Sequence, residues 1–288
     1  MASVRDLRDR IRSLRNTQQI TKAMKQVAGA KIRRAEQLQA QSRPYADALA
    51  AMLQDLLAAV GSVNHPFMKP GNPEAPLGVI LLTSDKGLAG AFNANLIRMA
   101  DLLQRAQPDV TWYAIGNKGR NAVKRFAQDT AATWSLSTQD KLLTAQACAQ
   151  QVSDDFTNGK IRGVSLISPK FVSTLVQRPQ NRTILPIARE ETTAAATSEK
   201  PRGAVEFEPS PELVLSRLLP KYLEFTLYAA MLETDAAFFA AQLVAMNNAT
   251  ENAKKMIDQL TIVMNNARQA AITTEILEIV GGAEALAK

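Results

Sequence analysis

Apolar side chains recur at helical spacing over a long stretch near the end of the chain. From Lys221 to Val280 there is neither Gly nor Pro, a run of 60 residues that would make a helix ~90 Å long. Within this run, positions three and four residues apart form a heptad seam, which is typical of a left-handed coiled coil. The seam consists of Leu243, Met246, Thr250, Ala253, Ile257, Leu260, Met264, Ala267, Ala271 and Thr274. Residues 211–288 are therefore predicted to form one coiled-coil helix.

The first 61 residues show the same kind of spacing. A seam is predicted to begin at one set of positions, to shift, and then to run on: Val4, Leu7, Ile11 and Leu14, then Ile20, Met24 and Val27, then Ile32, Ala35 and Leu38. We expect Pro44 to kink this helix, and Gly61 with the Pro-rich stretch after it to end it. Residues 1–61 are therefore predicted to form an amino-terminal coiled-coil helix.

Between these helices, in residues 62–210, the spacing of apolar residues changes from a helical period to short alternating runs. Short runs rich in β-branched and apolar residues predict strands at 77–85, 110–116, 164–173 and 180–187. Helical patterns lie between or after them, at 93–106, 118–127 and 141–159. Alternation of this kind predicts a small, mostly parallel, doubly wound α/β domain of Rossmann-like type, and the polar segment 189–203 is expected to be a loop.

The fold class is thus α/β plus a long α-helical coiled coil, with the α/β domain inserted between the two helices. This insertion can bring the helices together as an antiparallel pair. Charge favours the pairing, because residues 1–43 hold eleven Lys/Arg against three Asp/Glu, whereas residues 221–288 hold five against eight. Exposed ion pairs are individually weak, so the seams must supply most of the stability.

Composition excludes several kinds of chemistry. Cys148 is the only cysteine and His65 the only histidine, so zinc clusters, Cys-His catalysis and Ser-His-Asp catalysis are not expected. His65 itself is expected to be a solvated loop residue. The start of the chain has no apolar signal region, and the most apolar stretch, 229–246, is interrupted by Glu233 and Asp235. We therefore expect no secretory signal and no direct membrane span.

The stretch "SDKGLAGAFN", residues 84–93, lies where a strand turns into a helix and raises the question of a phosphate site. Its glycines fit neither G-x-x-x-x-G-K-[ST] nor G-x-G-x-x-G, and Lys86 precedes them instead of following. A tight turn that faces a protein partner is the favoured interpretation. A nucleotide-binding α/β enzyme is the disfavoured one.

Basic side chains cluster on the amino-terminal helix of a chain whose net charge is +7 and whose pI is about 9.6. They are Lys22, Lys25, Lys31, Arg33 and Arg34. The cluster has three interpretations: a nucleic-acid-binding face, a solvated face, or a surface that docks on acidic loops of a protein. Aromatics make up only 5% of the chain, and no helix-turn-helix or zipper arrangement is visible, which weakens the first interpretation. A basic coiled-coil nucleic-acid-binding protein remains the alternative function.

Three separated stretches carry a resemblance to a known family: residues 11–35, residues 84–93 and residues 244–283. In these stretches the chain resembles the gamma-subunit family of F-type ATP synthases, of bacterial type. The family's end signature is matched by Ile272, Thr273, Glu275, Glu278, Gly282 and Ala283. Since the chain holds one cysteine, it cannot carry the regulatory cysteine pair of the chloroplast form.

The resemblance implies a function. It implies a central rotor stalk that couples ion flow through the membrane c-ring to conformational cycling of the catalytic sites on the beta subunits. The implied partners are three alpha and three beta subunits, the epsilon subunit and the c-ring, with no nucleic acid. Mg-ATP and ADP would be bound by alpha and beta, so this chain would hold no cofactor, metal or catalytic residue. Its implied location is the cytoplasmic face of the bacterial inner membrane, as a peripheral protein.

The resemblance also implies partner contacts for individual residues. Met24 and Lys25 match the part of the axle that passes the acidic lever loop of beta. The lower rim of the ring would be approached by Asp85, Lys86 and Gly87, the c-ring by Phe207 and Glu208, and the catch loops of alpha and beta by Arg268, Gln269 and Thr273. Glu275 and Glu278 belong to the end signature and lack a catalytic partner. Gln242 departs from the family, because many relatives carry Arg there, so a charged contact to beta is expected to be absent.

Overall fold

The computed structural model describes residues 3–59, 65–126, 130–137, 140–187 and 210–286. Long helices begin and end this part of the chain, and five strands alternate with three shorter helices between them. The elements in chain order are α1 (Val4–Ala59), a 3₁₀ helix (Pro66–Met68), β1 (Leu77–Leu82), α2 (Phe92–Ala106), β2 (Val110–Ile115), α3 (Asn117–Phe126), β3 (Thr130–Trp134), α4 (Lys141–Thr157), β4 (Gly163–Phe171), β5 (Gln177–Leu185) and α5 (Pro211–Leu286).

The strands form one five-stranded sheet in the order β3-β2-β1-β4-β5. The four strands β1 to β4 are parallel, and β5 returns antiparallel to β4 as a hairpin at the edge. In the centre of the sheet Leu81 stands opposite Ala114 of β2 and Ile167 of β4. The predicted doubly wound, mostly parallel α/β domain is confirmed.

The sheet is buried on both faces, because successive side chains of a strand point to opposite sides. Val79 and Leu81 of β1 join a cluster with α2 and α3 on one face. Ile80 and Leu82 join a larger cluster on the other face, formed with α4 and with parts of α1 and α5. The long helices therefore contribute to the core of the sheet domain as well as to the coiled coil.

The chain forms two compact units. The first is Gly29–Gln242, which contains the sheet and the adjoining parts of the long helices. The second combines Met1–Ala28 with Leu243–Lys288, so it contains the start of α1 and the last part of α5. These units are defined by contacts, whereas the domain limits predicted at residues 61 and 210 follow the change of element type.

The predicted seam of α1 is wrong in its middle. Ile20 is 60% exposed and Val27 55% exposed, while their neighbours Thr21 and Ala28 are buried. The helix keeps one heptad phase from Leu7 and Ile11 onward, and that phase reaches positions 21 and 28. The error came from following the larger apolar residues instead of the period. Leu38, also assigned to the seam, is exposed as well.

The predicted long helix at the end of the chain is confirmed, and α5 is longer than its Gly- and Pro-free run. It begins at Pro211, continues through Pro220 and includes both glycines at 281 and 282. Its seam is buried or half-buried as far as Ala267, but Ala271 and Thr274 are exposed. Those last two assignments are wrong, because α1 begins at Val4 and gives them no neighbouring helix.

Two smaller features also differ from expectation. Strand β3, with the sequence TAATW, was not predicted, because its two alanines blur the alternation that marks a strand. His65 is half-buried and not simply solvated: its Nδ1 accepts a hydrogen bond from the Phe67 amide, which caps the 3₁₀ helix. Burial lowers the pKa of His65. The predicted loop at 189–203 lies outside the described residues.

One helical stretch within Leu213–Val280 is long and apolar enough to cross a membrane by length and composition, with a mean hydropathy of 1.3 in its most apolar window. Half of that window is buried within the chain. Leu219, Leu223, Leu227 and Met231 of α5 belong to the core cluster on one face of the sheet. Packing in the sheet domain therefore accounts for much of the apolar character of α5.

Candidate functional site

In open α/β sheets, ligands bind in the crevice outside the carboxyl ends of the strands, where the strand order reverses. Here the order reverses between β1 and β4. The segments that follow these strands are the β1–α2 loop, residues 83–91, and the β4–β5 turn, residues 172–176. This edge of the sheet is therefore the first place to test the question raised by residues 84–93.

The carboxylate of Asp85 in the β1–α2 loop is fully engaged inside the domain. It accepts hydrogen bonds from the Asn117 amide at 2.8 Å, the Ser135 hydroxyl at 2.9 Å, and the Ser137 amide and hydroxyl at 2.7 and 2.6 Å. Asn117 is the first residue of α3, where free amides and the helix dipole attract an anion. Asp85 therefore places an anion of the chain itself at the start of α3, where the free amides would otherwise attract an external anion.

The pKa of Asp85 reflects these bonds. Burial alone would raise the pKa, but the hydrogen bonds from Ser137, Asn117 and Ser135 stabilise the ionised form and leave the pKa below its usual value of 3.8. The carboxylate is therefore charged at neutral pH and supplies an anion at the start of α3.

The rest of the loop is held in one conformation. The Ser84 hydroxyl donates to the carbonyl of Lys86 at 2.7 Å, and the side chain of Asn93 bonds both groups. Leu88 has a left-handed backbone, with φ = 62°, and its side chain is 64% exposed. Such a conformation is strained for a residue other than Gly and persists only where the surroundings impose it. The loop thus presents Leu88 and Lys86 on a rigid turn.

Close packing between the backbones of Gly116 and Thr83 fixes the start of the same loop. Gly116 has φ = 96°, and a Cβ there would lie 2.1 Å from the carbonyl oxygen of Thr83. Thr83 also accepts a hydrogen bond through its side-chain oxygen from the Gly119 amide at 2.7 Å. The start of α3 is therefore pressed against the end of β1, in a contact that only glycine at position 116 permits.

Helix α5 crosses this edge of the sheet. The rings of Phe92, at the start of α2, and Phe238 of α5 pack with centroids 5.8 Å apart. Asp235 of α5 pairs with Lys141, the first residue of α4, at 2.8 Å. Burial raises the pKa of Asp235, and Lys141 only partly offsets this. The chain's own groups therefore cover the start of α2, α3 and α4 along the edge.

Within the second unit, α1 and α5 meet through apolar positions and one polar layer. The hydroxyl oxygens of Thr21 and Thr250 lie 2.8 Å apart, and Lys25 Nζ donates to the side-chain oxygen of Asn247 at 2.6 Å. Ala28 and Ala253 are buried in the same unit. Polar groups at a seam specify the register of a coiled coil at some cost in stability, so this layer fixes how the two helices align.

That register leaves the end of α5 without a neighbouring helix in the described chain. Extended from the Thr21–Thr250 pair, it places Val4 opposite Ala267. Every side chain from 268 to 280 is exposed. At 100° per residue, four of them form an apolar stripe on one face: Ile272, Ile276, Ile279 and Val280. An exposed apolar stripe of this kind is typical of a surface that binds a partner.

The residues predicted at partner contacts have the following environments. Lys25 and Lys86 are exposed, Met24, Gly87 and Gln242 are half-buried, and Asp85 is turned inward as described. Gln269 lies on the face of the apolar stripe and Thr273 lies at one edge of it. Arg268 and Glu275 flank the other edge, and Glu278 lies on the opposite face. Phe207 and Glu208 lie outside the described residues. All of these contacts stay predictions.

Sequence reasoning missed several residues at these sites. The internal role of Asp85 depends on Ser135 and Ser137, which are distant in sequence and gave no signal. Asn247 was not singled out, although it follows the seam residue Met246 directly. Leu88 could have been found from its pattern, because it is an apolar residue between two glycines in a turn.

Two further kinds of site are metal-ligand clusters and reactive thiols. Within the part of the chain that the structure describes, no group of three or more His, Cys, Asp or Glu side chains is arranged as a metal site. Cys148 is buried, and burial raises the pKa of its thiol. The expectation that the chain holds no metal or cofactor stays a prediction.

Comparison with known proteins gives consistent results. A family model described as ATP synthase matches residues 3–286. The chain is 42% identical over 290 residues to the ATP synthase gamma chain of Heliobacterium modesticaldum, covering 99% of this chain and all of that one. It is 39% identical over 295 residues to the ATP synthase gamma chain of Paracoccus denitrificans, with the same coverage.

Solved structures show the same fold. A chain from the central stalk and c-ring of the Tetrahymena thermophila mitochondrial ATP synthase is 25% identical, with a TM-score of 0.61, and covers 80% of this chain and 99% of that one. A chain from the F1/c-ring assembly of the Euglena gracilis mitochondrial ATP synthase is 19% identical, with a TM-score of 0.70, and covers 98% and 94%. The predicted combination of an α/β domain with long helices agrees with both.

Proposed function

Because the chain belongs to the gamma-chain family of ATP synthases, we propose that it is the central rotor stalk that couples ion flow through the c-ring to the catalytic cycle of the beta subunits. The chain has no catalytic site of its own in this proposal. It joins three alpha and three beta subunits, the epsilon subunit and the c-ring. It lies at the cytoplasmic face of a bacterial inner membrane, as a peripheral part of the complex.

The exposed end of α5 carries this proposal. Its apolar stripe has no cover within the described chain, and each Å² of apolar surface left in water costs about 25 cal/mol. A ring of subunits that encloses this helix end removes the stripe from water on all sides. A nucleic acid would not, because its affinity comes from phosphate contacts with cations and not from aliphatic burial.

A rotor of this kind works through asymmetry. The paired helices differ in charge and in length, so each of three identical beta subunits would meet a different face of the pair. Moving a site from 1:99 to 99:1 between two conformations takes about 5.5 kcal/mol of differential contact energy. Single exposed ion pairs contribute far less, so the coupling must be spread over many contacts along the helices.

Nucleotide is proposed to bind to the partner subunits alone. Asp85 supplies the anion at the start of α3, and a second anion there would be repelled by it. Phe238 of α5 covers the start of α2. Residues 84–93 therefore serve, in this proposal, as a rigid turn that touches a nucleotide-binding partner without touching nucleotide.

Co-expression with alpha and beta subunits tests the proposal. Mg-ATP hydrolysis should depend on this chain, in a complex that holds one copy per three beta subunits. A variant truncated after Asn265 should keep the melting transition of the sheet domain but lose most of the coupling between hydrolysis and ion pumping. A complex that forms and hydrolyses ATP equally well without the chain would contradict the proposal.

A further inference from the structure

The β4–β5 turn is an exposed apolar tip that the proposed function does not use. Val172, Leu175 and Val176 are 54%, 78% and 39% exposed. They lie together at the end of the hairpin that closes the edge of the sheet. Three neighbouring aliphatic side chains at a turn are unusual, since turns are ordinarily built from Gly, Pro, Asn, Asp and Ser.

The turn is held in one shape by its own hydrogen bonds. The carbonyl of Val176 accepts from the amides of Val172 and Ser173 at 3.2 and 3.1 Å. The side-chain amide of Gln177 donates to the carbonyls of Ser173 and Thr174 at 3.1 and 2.8 Å. The apolar tip is therefore presented with little conformational freedom left to lose on binding.

The hairpin is also fixed to the long helix. Glu233 of α5 accepts a hydrogen bond from the Phe171 amide at 2.9 Å, at the last residue of β4. This hydrogen bond ties the end of β4, next to the tip, to α5. An exposed feature that is both rigid and anchored to the longest helix is suited to mechanical contact with a partner.

The charged residues at the base of the tip indicate the chemistry of its partner. Lys170 and Arg178 stand directly opposite each other in the β4–β5 pairing, and both are exposed. Like charges in this position destabilise a sheet. Among the described residues, neither forms an ion pair with a carboxylate. An acidic group from outside the chain would relieve this repulsion.

We propose that the hairpin tip, consisting of Lys170, Val172, Leu175, Val176 and Arg178, is a docking surface for another protein of the same assembly that presents an apolar hollow rimmed by carboxylates. A lipid surface fits less well, because two cations at about 1 kcal/mol each and one small aliphatic tip give weak membrane binding. The surface rests on the proposed function in needing the assembled complex. It adds a contact at the edge of the sheet that is separate from the helix pair.

Photo-cross-linking in the complete, purified complex tests this surface. Benzoylphenylalanine replaces Leu175, and in a control chain it replaces Leu102, which is 60% exposed on α2. Ultraviolet light should join position 175 to a protein subunit, with little product from position 102. The double variant Lys170→Glu with Arg178→Glu should lower the yield about fivefold, because rim charges contribute modestly to each contact.

The outcomes separate this inference from the proposed function. Alpha and beta subunits in the same preparation report on the rotor assignment, whereas the adduct at position 175 reports on the tip alone. A complex that contains the chain but gives no protein adduct at 175, or gives an adduct only with lipid, overturns the docking surface. If Lys170→Glu with Arg178→Glu leaves the adduct yield unchanged, the proposal that carboxylates rim the partner's hollow is overturned.

Discussion

The two units of the chain differ in how far they bury their apolar side chains. In Gly29–Gln242, the sheet is covered on both faces, and central residues such as Ile80 and Leu81 are fully buried. In the unit formed by Met1–Ala28 and Leu243–Lys288, one thin seam is buried, and Ile276, Leu277 and Ile279 are exposed. The first unit buries most of its apolar surface and exposes only small apolar patches such as the β4–β5 turn, whereas the second leaves a whole apolar helix face exposed.

This difference separates stability from function in the molecule. Substitutions in the interior of the sheet unit should change the free energy of unfolding, because the contacts made there are internal. Substitutions at the end of α5 should change assembly and activity while the isolated chain stays equally stable. The following substitutions test that division, in descending order of their expected effect on stability.

Gly116→Ala should have the largest effect. The new Cβ would meet the backbone of Thr83, and φ = 96° strains any residue with a Cβ, so we expect a loss of about 3–5 kcal/mol. Chemical denaturation followed by circular dichroism measures it. Gly87→Ala is the matched control, since only the Lys118 side chain lies near, at 3.6 Å. Equal stability of the two variants would refute the close contact.

Asp85→Asn should cost about 1–3 kcal/mol at neutral pH, because an amide cannot accept all four hydrogen bonds. Since folding lowers the pKa of Asp85, its contribution is present above the usual pKa of 3.8 and is lost as the pH falls through the folded value. The variant should therefore lose stability less steeply in acid than the parent chain.

Asp101→Asn provides the control for that measurement. Asp101 pairs with Arg105 across one turn of α2, and such a pair contributes about 0.5 kcal/mol or less. Unfolding of both variants is followed between pH 3 and pH 7, roughly the range in which carboxylates titrate. An acid dependence of Asp85→Asn identical to that of the parent would show that the carboxylate is not the internal anion described.

Thr21→Val should cost about 0.5–1.5 kcal/mol, because it leaves the Thr250 hydroxyl in the seam without that partner. Adding Thr250→Val should recover most of this loss, since an apolar pair suits the seam. A double-mutant cycle in urea measures the coupling. Two losses that simply add would show that the hydroxyls do not interact.

Ile276→Asn with Ile279→Asn should change the stability of the isolated chain by less than about 0.5 kcal/mol, because both side chains are exposed. Chain-dependent ATP hydrolysis by the complex should nevertheless fall sharply. Thr274→Asn, on the opposite face of the helix, is the control and should leave hydrolysis near the parent level. Full activity of the double variant would contradict the claim that the exposed end of α5 serves a partner.

Local pattern predicted much of the fold. The Gly- and Pro-free part of α5, the helices α2, α3 and α4, and four of the five strands followed from periodicity and from breaks in composition. Strand β3 did not, because a short edge strand with two alanines is held by its pairing with β2 more than by its own sequence. The seam positions predicted in the middle of α1 were wrong because the small residues Thr21 and Ala28 pack between the helices, where larger residues would not fit.

The candidate sites were less predictable for a related reason. Asp85 stood in a recognisable loop, but its partners Ser135 and Ser137 come from the segment after β3, which the sheet alone brings close. Polar pairs between the long helices, such as Lys25 with Asn247, depend on the register of the pair. Contacts between residues distant in sequence are set by tertiary packing, and one sequence does not display them.

Hydrogen exchange measured on the free chain and on the complex with alpha and beta subunits tests the central claim most directly. The account predicts that backbone amides of residues 268–280 exchange rapidly in the free chain and become strongly protected in the complex. Amides of β1 and β2 should be protected equally in both states. Unchanged rapid exchange at 268–280 within an assembled, active complex would contradict the assignment of this helix end to a surrounding partner.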